Sequence, residues 1–263
     1  MDLQEILALY NKQQRIEIEY PQVRKEILPH VVRFVRPPPG MSWVAYARLD
    51  EANADAVIRE QVNYFSQMNQ PFSWDVYDHD APPDLPDRLV AHGFERENPP
   101  DDPGALLVLN LHEVPRTLLQ PVTANIRPIT QRDQLDDVIQ VEEQVLGGNF
   151  GWIKERLGDH LEIPNYLSVY VAYIEEQPAC TAWIYWHPNS QFASLHGGAT
   201  VPDHRGQWLY TSVLAVRVQE ATQRGYRFLT IEASPMSHPI VARHGFHLLT
   251  HVNAYKWNDR SKA

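Results

Sequence analysis

The segment ATVPDHRGQWLYTSVLAVRVQEATQRG, Ala199 to Gly225, has the outline of an anion site. An apolar run ending in Val201 breaks at Pro202, a polar turn carries Arg205 and Gly206, and from about Gln207 a helical pattern runs until Gly225 stops it. A loop feeding a helix N-terminus offers unpaired backbone N–H groups and the positive end of the helix dipole, which together hold a phosphate. Glycines, which let a phosphate approach the backbone, are scarce here, and Trp208 and Tyr210 stand where they are expected. Upstream, His196 in FASLHGGATV carries a side chain whose ordinary pKa of about 6.5 suits proton abstraction near neutrality. A histidine beside Gly197 and Gly198 is equally readable as an inert core or surface residue. Glu142 and Glu143, ahead of LGGNFGW, are a second source of a base, against the plain reading of a solvated helix face.

These residues sit in a chain of 263 residues, long enough for one large or two average domains. The lone cysteine, Cys180, excludes an internal disulfide framework and a thiolate metal cluster and fits a reducing compartment. No run approaches a membrane span and the start, MDLQEILALYNKQQRIE, is amphipathic and acidic, so a cytoplasmic protein is expected. Net charge is −10 with no basic cluster beyond pairs such as Arg24 and Lys25, so neither nucleic acid nor a membrane is an expected partner, and cationic small molecules are mildly favoured. His187, His196 and His204 lie in separate elements, and no metal is expected.

The elements that must position the site fall into two halves. The region Glu95 to Asn125 holds five prolines around one strand-like segment, Ala105 to Leu111, which puts a boundary near residues 112 to 124. Beyond it, NIRPIT reads as a strand, Leu135, Val138, Val141 and Val145 mark a helix face, and a second helix spans Trp152 to Leu161. YLSVYVAYIEE and PACTAWIYWHP read as a hairpin turned at Glu176-Gln177. A strand Phe192 to Val201, the long helix, the strand YRFLTIEA, a short helix with Ser237 as N-cap and Gly245 as C′, and a last strand HVNAYKW complete the order. The first half echoes it: strand SWVAYARL, helix Asp50 to Gln67, strand FSWDVYDHD, and a short helix ending LVAHGFE against IVARHGFH in the second half. A duplication is expected.

Over roughly residues 124 to 258 the chain resembles the GNAT family of acyl-CoA-dependent N-acyltransferases, through IRPIT and its acidic helix, ATVPDHRG, ATQRGYRFLTIEAS and ARHGF. The resemblance implies an α/β fold whose mixed sheet, flanked by helices, splays open midway. Acyl-CoA lies in the splay, and its pyrophosphate on the loop before the long helix. It implies a degenerate GNAT-like domain over 1–112, without a phosphate loop, and an acyl-CoA-binding catalytic domain over 113–263 that acetylates a primary amine of a small molecule or a peptide, acetyl-CoA being the co-substrate; polyamine, aminoglycoside, amino acid and protein N-terminus are all open as acceptors. Backbone N–H groups of Ala199, Thr200 and Val201 are then the pantetheine and carbonyl donors, Arg205, Gly206, Gln207, Trp208, Leu209 and Tyr210 the phosphate frame, and Ser234 a further cofactor contact. His196 or Glu143 is the base, with Glu142 beside it; Phe150 and Trp152 shape an acceptor pocket or pack the core. Two departures stand out. Trp208 and Tyr210 replace the small residues of the family loop, and Val241 replaces its usual tyrosine acid, leaving Tyr210 as a source of a hydroxyl. A fold that binds without turnover is the alternative.

Overall fold

The computed structural model describes residues 2–38, 40–99 and 103–258. In chain order they form α1 (Leu3–Tyr10), β1 (Arg24–Ile27), β2 (Val31–Val35), β3 (Ser42–Ala47), α2 (Ala54–Gln67), β4 (Phe72–Tyr77), α3 (Leu85–Ala91), β5 (Glu95–Arg96) and β6 (Gly104–Asn110). There follow β7 (Ile126–Ile129), α4 (Leu135–Leu146), α5 (Trp152–Leu161), β8 (Leu167–Ile174), β9 (Gln177–Trp186), β10 (Phe192–Thr200), α6 (Leu209–Gln223), β11 (Phe228–Ala233), α7 (His238–Arg243) and β12 (His247–Trp257). The order expected for the second half is the order observed. In the first half α1 and the β1–β2 hairpin are additions that its sequence pattern did not announce.

The chain divides into two compact units, one of Met1–Leu106, Ala233–His238 and Leu248–Ala263, the other of Leu107–Glu232 and Pro239–His247. A single cut at 112/113 does not describe them. The last strand, grouped by sequence with the second half, forms an antiparallel ladder with β4, Val252 opposite Tyr77 through Trp257 opposite Phe72. Backbone pairing decides where a strand belongs, and chain order carries no information about it.

In the first unit β1, β2 and β3 run antiparallel, and β3 then pairs β4 in parallel over Ser42–Val44 and Phe72–Trp74. Helices α2 and α3 bury Val57, Ile58, Phe65, Leu85 and Leu89 against Val44, Phe72 and Trp74 of that sheet. In the second unit β7, β8, β9 and β10 are antiparallel and β10 pairs β11 in parallel. Both units therefore contain a strand, a helix and a parallel strand in succession, as the sequence echo suggests.

The second unit covers its sheet on two faces. Alternation along β8 and β9 sends Val169, Val171, Tyr173, Trp183 and Tyr185 to the side packed by Leu135 and Val138 of α4 and Ile153 and Leu157 of α5. The opposite side, with Ala172, Cys180 and Ala182, receives Leu209 and Val213 of α6. Helix α6 is buried almost all round, Leu214, Val218 and Ala221 included, which is why its apolar residues show no single stripe. The β8–β9 hairpin turns through Glu175 and Glu176, at φ 46° and 64°, one residue earlier than its sequence suggested.

Candidate functional site

Strands β10 and β11 are in register for only four residues, Phe192–Leu195 against Phe228–Ile231. Beyond that the ladder between them stops while β10 continues to Thr200 along β9. The sheet of the second unit is thus open on one edge of β10 from His196 onward. At the same point β10 bulges: His196 lies opposite Trp183 and Ala199 opposite Thr181, with a register shift between them.

Glycine makes the bulge feasible. Gly197 has φ +59°, and a Cβ there would sit 1.8 Å from the Trp183 ring. A Cβ on Gly198 would meet Tyr210 Cε2 at 2.7 Å, so the Tyr210 ring lies on the strand backbone instead of turning away from it. The bulge carbonyls are held by Arg217 of α6, whose Nη1 donates to Trp183 O (3.2 Å) and His196 O (3.5 Å) while Nε donates to Val213 O (3.3 Å). Arg217 is fully buried, has no carboxylate partner among the described residues, and its Nη2 has no acceptor. Burial lowers its pKa, against the raising effect of Tyr210 and Cys180.

Antiparallel pairing sets which amides face the opening. Val201 N–H donates to Ala179 O of β9 (2.9 Å), so Val201 points its donor at its neighbour. Alternation then aims Ala199 N–H the same way and Thr200 N–H at the open edge. Of the three backbone donors expected, Thr200 is the one aimed at the splay.

The loop that follows begins with a 3₁₀ turn, Pro202–His204. The amides of Gly206, Gln207, Trp208, Leu209, Tyr210 and Thr211 have no acceptor among the described residues, and the first bond into α6 is Ser212 N–H to Trp208 O, 2.9 Å. Gly206 at φ +76° and Trp208 at φ +62° alternate hand with their neighbours, a conformation that turns successive N–H groups to one side. The helix starts at Leu209, and Trp208 is its left-handed N-cap, 75% exposed. The helix thus begins two residues later than the pattern from about Gln207 suggests, and position 208 takes a backbone conformation that favours glycine. Arg205 donates from Nε to Thr200 O (3.3 Å), and the Gln207 amide reaches Asp203 O (3.5 Å).

The two glutamates divide by helical phase. Glu142 stands four residues after Val138 and seven after Leu135, on the buried stripe of α4. It is 5% exposed, its Oε1 lacks a partner among the described residues, and desolvation pushes its pKa up to about 7. Glu143 is exposed and accepts the Phe150 N–H at 3.3 Å, closing the loop after α4. Phe150 packs on the core of the α4–α5 side, whereas Trp152 is 49% exposed.

His196 reaches solvent, and its ring meets the Tyr185 ring edge-on at 5.3 Å. Its pKa is held below the ordinary value by the surrounding protein first and then by positive charge on His187, Arg156 and Arg217, so it is neutral near pH 7. Val241 is fully buried. Ser234 falls in the first unit, exposed, with its Oγ 3.2 Å from Ser237 Oγ. Ser237 donates its hydroxyl to Ser234 O (3.3 Å), a local turn bond. Among the described residues no group of His, Cys, Asp and Glu has metal-site geometry, and no helix is long and apolar enough to cross a membrane. Sequence reasoning missed Arg217, although a cation four residues after Val213 on an apolar face was a visible signal, and it missed Glu232.

No family model matches the sequence, and no curated protein matches it. Solved structures do match its fold. A GCN5-related N-acetyltransferase from Kribbella flavida has a TM-score of 0.68 at 14% identity, over 96% of this chain and 94% of that one. A tandem GNAT protein from the clavulanic acid biosynthesis pathway has a TM-score of 0.60 at 13% identity, over 97% and 94%. An acetyltransferase from the GNAT family of Colwellia psychrerythraea has a TM-score of 0.55 at 9% identity, over 97% and 95%. The chain has the GNAT fold, a mixed sheet flanked by helices, in a tandem architecture.

Proposed function

We propose that the second unit is an acyl-CoA-dependent N-acyltransferase that moves an acyl group, acetyl in the first instance, from the thioester to a primary amine. One observation carries this: β10 loses its parallel neighbour after Leu195 just where partner-free amides, Gly206 to Thr211, gather at the N-terminus of α6. An open strand edge suits the amide-bearing pantetheine arm, and the helix N-terminus suits the pyrophosphate. The free amides and the open edge fit the co-substrate that the fold implies.

The chemistry follows from the groups around the bulge. Thr200 N–H polarises the acyl carbonyl as negative charge develops on its oxygen. His196, neutral at working pH, takes the proton of the amine, whose lone pair forms the C–N bond as the C–S bond breaks. The sulfur leaves as a thiolate and takes a proton from Tyr210. Desolvation raises the pKa of that hydroxyl, with Arg217 opposing it, so it stays protonated and able to donate. Glu142, ionising near pH 7, is an alternative proton acceptor.

The test is a pair of measurements. Acetyl-CoA at about 100 times its Kd raises stability by roughly 2.7 kcal/mol if only the folded state binds it. Thiol release then follows on adding an amine. No change in melting temperature at millimolar acetyl-CoA overturns the assignment. The buried Val241, where the family carries an acid, favours a second reading, a binding protein without turnover. Binding with no thiol release on any amine decides for it.

A further inference from the structure

Three polar side chains of the second unit, on the side of the sheet that α4 and α5 cover, have no hydrogen-bond or ion-pair partner among the described residues. The first is His196. The second is Glu232, the residue that follows the last registered position of β11, Ile231 opposite Leu195, so that it stands level with His196 across the opening. Parallel neighbours in register project to the same face, so Glu232 and His196 share the α4–α5 side of the sheet. Phe228 to Ile231 are buried and Glu232 is exposed, so the chain places a carboxylate where the strand leaves its neighbour.

The third is Arg156 of α5. It lies one turn before His160, whose Nδ1 is 2.9 Å from the Tyr185 hydroxyl, and the Tyr185 ring meets the His196 ring at 5.3 Å. Arg156 is exposed, and its guanidinium lies 6.0 Å from the Trp152 ring centroid. The elements around His196 thus supply an anion from β11, a cation from α5 and an exposed aromatic, Trp152.

We infer that the acceptor is an amine that also carries a carboxylate, an α-amino acid, with its ammonium at Glu232 beside His196 and its carboxylate at Arg156. A plain polyamine would leave Arg156 facing a cation, and an acidic metabolite without an amine would leave Glu232 facing an anion. An ammonium in front of Glu232 is held by its carboxylate, because an opposite charge at short range favours the ionised form. Arg156 is matched to a carboxylate by its planar fork of donors. Trp152 adds apolar area for a side chain, which favours aromatic and large aliphatic amino acids.

The inference rests on the N-acyltransferase reading, and the experiment separates the two. Calorimetry with acetyl-CoA tests the cofactor alone. Thiol release is then measured with the twenty proteinogenic amino acids and with their decarboxylated amines, phenethylamine against L-phenylalanine among them. The amino acid is expected to exceed its amine at least tenfold in kcat/KM. Glu232→Gln should raise KM for the amino acid at least tenfold with unchanged acetyl-CoA affinity. Arg156→Gln should abolish the preference over the amine, and Arg156→Lys should restore part of it. Equal use of amino acid and amine, or acetyl-CoA binding with no turnover of any amino acid, overturns the inference and leaves the cofactor assignment standing. Loss of acetyl-CoA binding in both Glu232→Gln and Arg156→Gln overturns it too, because it would make these residues supports of the cofactor site.

Discussion

Gly197 and Trp183 interlock: the glycine, at φ +59°, lies so close beneath the indole that a Cβ would come within 1.8 Å of Cζ3. Relief requires moving either a buried tryptophan or the bulge itself. Gly197→Ala is expected to cost about 2–4 kcal/mol, the sum of overpacking and a left-handed alanine. Urea denaturation measures it. A loss below about 1 kcal/mol would show that the bulge shifts freely. Gly198→Ala, which meets only the edge of the Tyr210 ring, should cost less.

Glu142 supplies a pH dependence with a defined sign. Its folded pKa, about 7, lies above the carboxylate value of 4.5, so the folded state holds the proton more tightly than the unfolded one. The contribution is present in full below the unfolded pKa and is lost as pH rises through about 7. A shift of this size corresponds to about 3 kcal/mol. Glu142→Gln, which keeps the shape and removes the titration, should be the more stable protein at pH 8 and gain little at pH 4.5. Parallel unfolding curves at the two pH values, with the same difference between variants, would count against it.

How far this site could be read from sequence varies residue by residue. Helix α5 and the order of elements around β10 were legible because apolar period and β-branched runs are local signals. Glu142 was half legible: its spacing from Leu135 and Val138 marks the buried stripe, yet a carboxylate weighs against burial, so Glu143 looked as good. The home of β12 was not legible, since any antiparallel strand could accept it. Nor was the hand of Trp208, because a bulky residue in the left-handed region contradicts local preference and is fixed by the loop around it. Arg217 and Glu232 acquire meaning only from the bulge and the splay, which are relations between strands.

Trp208 is expected to respond to glycine in the direction its backbone dictates. At φ 62° and 75% exposed, it bears a left-handed conformation with little packing in return. Glycine removes about 1–2 kcal/mol of steric cost and adds about 0.5–1 kcal/mol of backbone entropy. Trp208→Gly should therefore be as stable as the parent or up to about 1 kcal/mol more so. Removing bulk beside the free amides should also tighten acetyl-CoA binding. A less stable variant that binds more weakly would make the tryptophan a stacking element of the site.

His196→Ala is expected to lower kcat by about 10²–10⁴ at neutral pH while leaving acetyl-CoA affinity unchanged, because backbone donors supply that affinity. The acid limb of the parent's pH profile should lie below the ordinary histidine value, since the surrounding protein and neighbouring positive charge both favour the neutral ring. An acid limb near pH 7 that disappears in Glu142→Gln would transfer the role of base to Glu142.

Arg15 and Asp80 make the corresponding region of the first unit a different kind of place. Strands β3 and β4 also part after three registered residues, but Arg15 reaches in from the π-helical stretch Asn11–Ile16. Its Nε donates to Ala45 O (2.8 Å), Nη1 and Nη2 to the two carboxylate oxygens of Asp80 (2.9 and 2.6 Å), and its guanidinium lies 3.9 Å from the Tyr77 centroid. Both side chains are almost wholly buried, at 2% and 4% exposure. A buried pair is costly to break from one side, so Arg15→Met should destabilise the first unit by about 3–5 kcal/mol, while Arg15→Met with Asp80→Leu should recover much of the loss. With that pair in place the opening is filled, and calorimetry of the parent should give one acetyl-CoA per chain. Two sites per chain would show that the ion pair yields to a ligand, and a double variant no more stable than Arg15→Met would show that the geometry around Ala45, more than the charge on Asp80, depends on the arginine.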